Sequence, residues 1–371
     1  MMKAAKLLRV ALGAVIFVLV LELCARLDDH VTFGAPVSGV YSDENLYEND
    51  RLGKRGKPNA RYRKWQLNEF GYRGPRVEKD RVHIVCFGAS ETFGLYESED
   101  HEFPRQLERE LNARAGRPAF QVVNVAYPGL TLPTATLRVP EIVERIQPRV
   151  ALIYTTPSFY IDMPPKQSQR VVKVLPPPSF EWRLGERVRN VAKAVLPDAV
   201  QTWLRQWQIE HSLGARAAIE RLPDGDVKRF GDDLSELLST LRAHGVEPVV
   251  VTHATAFGDD RTPDRDLLIS WRKFHPKLKE EGFLDMERRM NQAMRDAAAA
   301  QDVAVIDIAR EIPPDRKYFA DFEHFTDAGA ALMAERLAEG LGPALHHSGV
   351  ALYVNAASAG VNRSHEDVVT R

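Results

Sequence analysis

Cysteine is nearly absent: a chain of 371 residues carries two, Cys24 and Cys86. The first lies in an apolar N-terminal stretch and the second in a strand-like run. Neither has another Cys or a His at metal-ligand spacing, so neither a disulfide framework nor a structural metal site is expected. Net charge is absent too, with 50 Lys and Arg against 51 Asp and Glu. Without a surplus positive field, nucleic acid is not an expected partner, and the charge runs read as solvated faces. Low-complexity Gly or Pro tracts are missing, each residue occurring 23 times. With 44% apolar and 27% charged residues, the fibrous and disordered classes are set aside, and the chain can bury one large core. No organic cofactor or metal is indicated. Scarce cysteine often marks a cytosolic protein, but a domain of this size holds together without disulfides in any compartment, so the N-terminus decides.

That N-terminus reads MMKAAKLLRVALGAVIFVLVLELCARLDD, with Lys3, Lys6 and Arg9 ahead of an uninterrupted apolar block at residues 10–21. The block alone is short for a span of roughly 20 residues and matches the core of a cleaved signal peptide. Leu7, Leu8, Leu23 and Ala25 lengthen it if Arg9 snorkels and Glu22 sits at the far interface. No small-x-small cleavage site follows, and Glu22 and Leu23 before Cys24 spoil a lipoprotein-type site. The expectation is a retained single-pass anchor at residues 1–27, its N-terminus in the cytoplasm and the rest outside the inner membrane, in the periplasm.

Residues 28–80 are polar and turn-rich and read as a juxtamembrane linker leading into the domain. From residue 81 the pattern changes to short continuous apolar runs at 82–87, 120–125, 150–154, 246–251 and 303–308. Helical periodicity lies between most of them, as at Leu234, Leu237, Leu238 and Leu241 or Met286, Met290 and Met294. Buried strands alternating with helices predict an α/β fold, a three-layer α/β/α sandwich on a mainly parallel sheet spanning 81–345. In such sheets ligands sit beyond the carboxyl ends of the strands. That rule directs attention to Ser90, Gly129, Ser158, His253 and the loop at 321–324. An insertion at 164–225 opens with prolines and continues with Trp182, Trp203 and Trp207 among arginines. It predicts amphipathic helices forming a cap, with a lid or membrane-surface element as the alternative. Residues 346–371 read as a loose tail.

A serine becomes a nucleophile when a base takes its proton, a third group orients that base, and donors receive the oxyanion. The segment FGASETFG at 87–94 sets Ser90 among small residues after a strand, at a helix start where backbone N–H groups face developing negative charge. Taken alone, a helix-capping serine explains it equally well. The segment YFADFEHFTDAG at 318–329 sets Asp321 and His324 three residues apart just before a helix, so that the carboxylate can fix the imidazole tautomer while the ring reaches the serine.

Gly88 and Ser90, the segment NVAYPG at 124–129, and the Asp321 and His324 pair, in that order, resemble blocks one, two and five of the SGNH (GDSL-like) hydrolases. The segments NEFGYRG at 68–74 and HFTDAG at 324–329 resemble membrane-anchored members associated with surface-polysaccharide modification. The resemblance runs over roughly residues 68–341, the insertion excepted. It implies a flavodoxin-like sandwich and acyl transfer through Ser90, with Asp321 and His324 completing the triad and the N–H groups of Ser90 and Gly129 forming the oxyanion hole. O-acetyl groups of a glycan are the implied substrate, a small acylated molecule or a lipid ester the alternatives, and a membrane-bound acyltransferase the implied partner. Asn124 and His253 are candidate substrate contacts. Two positions depart from the pattern. Ala89 replaces an Asp that is not the base, and Ser158 stands where an asparagine usually completes the oxyanion hole. The altered third block motivates a competing expectation, a catalytically silent domain that binds glycan or scaffolds a membrane assembly.

Overall fold

The computed structural model describes residues 2–163, 180–212, 214–258 and 262–347. A long helix, α1 (Met2–Phe33), leads into two short antiparallel hairpins, β1 (Tyr47–Asp50) with β2 (Gly53–Gly56) and β3 (Arg61–Tyr62) with β4 (Trp65–Gln66). The parallel sheet follows, made of β5 (Val82–Gly88), β6 (Phe120–Asn124), β7 (Val150–Tyr154), β8 (Glu247–Val251) and β9 (Ala304–Ile306). Its spatial order is β6-β5-β7-β8-β9, so the chain reverses direction across the sheet at β5. This is the doubly wound order of flavodoxin-like sheets, and the reversal point is where their ligands bind.

Each predicted apolar run is a strand because a parallel strand covered by helices on both faces buries every side chain. The run from Ile84 to Gly88 and all of β6 and β7 are buried. The helices after α1 are α2 (Ser90–Phe93), α3 (Phe103–Ala115), α4 (Leu132–Ile146), α5 (Phe159–Asp162), α6 (Arg183–Val195), α7 (Asp198–Glu210) and α8 (Asp224–Ala243). They continue with α9 (Arg265–Phe274), α10 (Glu280–Ala300), α11 (Ile308–Glu311), α12 (Asp327–Gly340) and α13 (Gly342–His347). Local chemistry marks several starts. Thr131 accepts the N–H of Thr134 at the start of α4, Asp264 those of Asp266 and Leu267 before α9, and Thr326 that of Gly329 before α12. Each such cap satisfies orphan donors of a first turn and is worth about 1 kcal/mol.

The stretch at 28–80 is more than a linker. Tyr41, Leu46, Tyr47, Tyr62 and Leu67 are buried in the same core as the sheet, and the N–H of Arg73 donates to the Asn124 carbonyl at 3.1 Å. Arg73 also forms a buried ion pair with Glu102 at 3.0 Å. The expected tail lies outside the described residues from 348 onward, and so does the proline-rich start of the insertion at 164–179. The α1 helix is long and apolar enough to cross a membrane and is exposed over nearly all of its candidate span, Lys6–Phe33.

Candidate active site

The nucleophile candidate owes its position to a glycine. β5 ends at Gly88, where an added Cβ would lie 2.0 Å from the Thr92 hydroxyl and 2.6 Å from the Tyr154 carbonyl oxygen. Only a residue without a side chain lets α2 fold back this closely on β7, and the turn brings Ser90 to the first residue of α2. Because β6 and β7 flank β5, the loops carrying Gly129 and Ser158 leave the sheet on either side of Ser90. Gly129 has φ of +89°, a conformation that holds the loop after β6 in its turn. Among the described residues the N–H groups of Ser90 and Gly129 find no acceptor within the protein, as oxyanion donors require.

Asp321 and His324 form a tight unit. Both Asp321 oxygens lie within hydrogen-bonding distance of His324 Nδ1, at 2.9 and 3.0 Å, and Oδ1 also accepts the N–H groups of Glu323 and His324 at 3.0 and 2.9 Å. Burial pushes the Asp321 carboxyl up, but the bond to His324, that ring's charge and the two N–H groups together hold it below its usual value. For His324 burial favours the neutral ring, while the Asp321 bond and the charges of Asp321, Glu323 and Glu91 outweigh it and lift the pKa to about 9. With Nδ1 held by the carboxylate, Nε2 is the free nitrogen, and among the described residues it is buried without a partner. The Tyr96 ring, half exposed, lies 5.2 Å from the imidazole.

The loop that carries this pair is supported from below. Phe322 stacks on Trp271 at 5.2 Å, and Trp271 stacks in turn on Phe283 at 4.6 Å and Phe257 at 5.7 Å. The N–H of Ala256 donates to the Phe322 carbonyl, which ties the loop to the end of β8.

A buried network next to the serine was not foreseen. The Ser90 hydroxyl donates to Glu91 Oε2 at 3.2 Å, not to His324. Glu91 also accepts the Thr156 hydroxyl at 2.8 Å and faces His253 Nε2 at 3.4 Å, while His253 Nδ1 meets Glu287 at 3.0 Å. Burial works against charge on Glu91 and His253. The His253 bond and the positive rings of His324 and His253 nevertheless hold Glu91 ionised. The two carboxylates likewise keep His253 protonated well above its usual range, against its desolvation. Glu323 goes the other way: its burial and the charge of Glu91 push its carboxyl well up. Glu91, His253 and Glu323 have ligand atoms within 4.8 Å of one another, the spacing of a metal site. Both ring nitrogens of His253 are already engaged, by Glu91 and by Glu287.

His253, a candidate substrate contact, is buried, with its two ring nitrogens facing Glu287 and Glu91. Asn124 is buried as well, its amide nitrogen donating to the Thr92 carbonyl at 2.7 Å and its oxygen accepting the Ala126 N–H at 3.2 Å. It secures α2 to the loop after β6. Ser158 is fully buried, and among the described residues its hydroxyl has no partner. Thr156, two residues earlier, is the member of that loop bonded into the network around Ser90. Glu91, Glu287 and Glu323 were missed, although acidic residues flanked by Phe322 and His324, or inside the Met286, Met290 and Met294 stripe, are misplaced for solvent and were a readable signal.

No family model matches the chain, and no curated protein does. Solved structures do. A lipase/acylhydrolase from Enterococcus faecalis is 16% identical, with a TM-score of 0.41 over 70% of this chain and 95% of its own. An acetyl xylan esterase, AlAXEase, is 11% identical, with a TM-score of 0.42 over 69% of this chain and 98% of its own. A catalytic mutant of an acetylxylan esterase from Geobacillus stearothermophilus is 12% identical, with a TM-score of 0.41 over 74% and 98%. At such values these are likenesses of chain trace, and they transfer neither an activity nor a residue role.

Proposed function

We propose that this chain is an SGNH-type serine esterase or acyl transferase that works through an acyl intermediate on Ser90. The observation that carries the reading is the Nε2 of His324, buried and unpartnered while Nδ1 is fixed on Asp321, a base arranged to accept one proton from outside its own pair. In the reaction Ser90 turns its hydroxyl from Glu91 toward His324, which takes the proton as Oγ bonds to the acyl carbon. The N–H groups of Ser90 and Gly129 receive the oxyanion, and His324 then protonates the departing alkoxide. Water or a sugar hydroxyl completes the second half, giving hydrolysis or transfer. Glu91 holds the resting serine and is itself held by the Thr156 hydroxyl, which donates to it. The likeness of the segments at 68–74 and 324–329 to anchored glycan-modifying members favours O-acetyl glycan as the substrate, processed outside the inner membrane by a domain that α1 retains there.

One observation favours a second reading. With its hydroxyl on Glu91, Ser90 stands in an idle rotamer, as a silent binding domain would leave it. Hydrolysis of p-nitrophenyl acetate by the full-length chain in detergent separates the two. Turnover abolished by Ser90→Ala supports the esterase, and background rates in the wild type, or turnover that survives the substitution, sink it.

A further inference from the structure

The two insertion helices face the wrong way for a cap in water. On α6, Arg183, Glu186 and Arg187 point into the protein, where they meet Asp29, Arg63, Asp28 and the Ala25 carbonyl. Val188, Val191 and Val195, on the other face, are 58%, 62% and 75% exposed. The pattern repeats on α7. Thr202 turns inward to Asp266 of α9 at 3.1 Å, while Val200, Trp203, Leu204 and Trp207 form an outward stripe at i, i+3, i+4 and i+7. A helix of a water-soluble domain buries its apolar stripe, and these two turn theirs outward, with Ile209 at the end of α7 the one apolar side chain of that helix that is buried. Outside α1 and residues 180–207, the large apolar side chains exposed among the described residues are only Tyr96, Leu137, Ile219 and Phe274.

What covers the stripes follows from where α6 is fastened. Glu22 of α1 accepts the first N–H groups of α6, Arg183 at 3.2 Å and Leu184 at 2.8 Å, and pairs with Arg26 at 2.7 Å, which itself donates to the Glu181 carbonyl. An acidic side chain just past the apolar block of α1 is thereby used as a cap for the next helix. At 1.5 Å per residue, about 20 residues counted from Lys6 bring α1 across roughly 30 Å of hydrocarbon to the level of Arg26. The fastening points, Glu22 to Asp29, therefore mark the height at which α1 leaves the bilayer.

We propose that α6 and α7 lie on the surface of the bilayer that α1 enters, with their valines and tryptophans at the boundary between headgroups and acyl chains. Trp is suited to that boundary, and Arg189 on the exposed side reaches the headgroups. The polar face of α7, with Asp198, Thr202 and Arg205, lines a cleft of about 250 Å³ that Asp321 and Arg316 complete. The membrane surface then lies about one helix diameter, ~10 Å, from the loop of the triad. This inference rests on α1 being a retained anchor.

The test uses the full-length chain in phosphatidylcholine and phosphatidylglycerol vesicles, with either ordinary or dibrominated acyl chains. Three of the five tryptophans, Trp182, Trp203 and Trp207, belong to the insertion; Trp65 and Trp271 sit in the domain, and α1 has none. Bromolipid should quench the emission of the wild type, and the triple variant W182F/W203F/W207F should lose that quenchable component. If the triple variant does not fold, W203F and W207F separately should each reduce it. Vesicles that float with the protein but leave its emission unchanged, or quenching that persists in the variants, overturn the inference while the anchor stands. A second copy or a protein partner covering the stripes would give that unquenched result. Protein that does not float refutes the anchor and the inference with it.

Discussion

Asp321→Asn is the substitution that isolates the chemistry from the fold. The amide keeps the shape of the side chain and its carbonyl oxygen, so the N–H groups of Glu323 and His324 retain an acceptor. It removes the charge that holds His324 Nδ1 and that opposes the ring's desolvation. Without that charge the pKa falls from about 9 toward or below the ordinary value of a histidine. The ring is then neutral at pH 7 but no longer favours the tautomer with Nδ1 protonated, and the imidazolium formed in the transition state has lost its counter-ion. In a serine triad that change costs about 10⁴-fold in kcat, or ~5 kcal/mol at 1.36 kcal/mol per tenfold. The assay is p-nitrophenyl acetate hydrolysis, with a thermal melt to verify folding. A folded Asp321→Asn protein within tenfold of the wild-type rate refutes the reasoning.

Further expectations follow from the same geometry. A base with a pKa of about 9 is mostly protonated at neutral pH, so kcat/KM should rise close to tenfold per unit up to about pH 9 and then level, measured as a pH-rate profile; a plateau already reached at pH 7 contradicts it. The same group bears on stability. Its folded pKa is raised, so its contribution is complete below about 6.5 and is lost as pH rises through about 9, which chemical denaturation at pH 6 and pH 10 would resolve. Glu91→Ala leaves the His253 imidazolium buried beside Glu287 alone and should cost about 3–5 kcal/mol in denaturant unfolding. Trp271→Ala removes the stacked support of Phe322 and should cost about 3–5 kcal/mol, with a fall in activity as the loop of Asp321 and His324 loosens.

Much of the fold was legible because parallel strands buried on both faces write themselves as continuous apolar runs. The run at 150–154 is a strand end to end, whereas the one at 303–308 shortens to Ala304–Ile306 because its last residue starts α11. The hairpins within 28–80 were not legible. Strands of two to four residues have no room for a period, and their buried tyrosines stand among polar strand residues such as Asn49, Lys54 and Arg61. The Asp321 and His324 pair could be read because its members are neighbours in the chain. The network around Ser90 could not, since Glu91, Thr156, His253 and Glu287 come from four elements and only the strand order brings them together. The insertion was read as amphipathic, but no periodicity tells which face turns inward. Arg183 and Arg187, seeking Asp29 and Asp28 on α1, decide that.

The central claim is that Ser90 is a nucleophile whose base is His324. It is tested most directly by treating the full-length protein with a fluorophosphonate and locating the adduct by peptide mass spectrometry. The account predicts one adduct on Ser90, slowed severely by His324→Ala and absent in Ser90→Ala. No adduct on a folded wild-type protein, or labelling that persists when Ser90 is replaced, would contradict it.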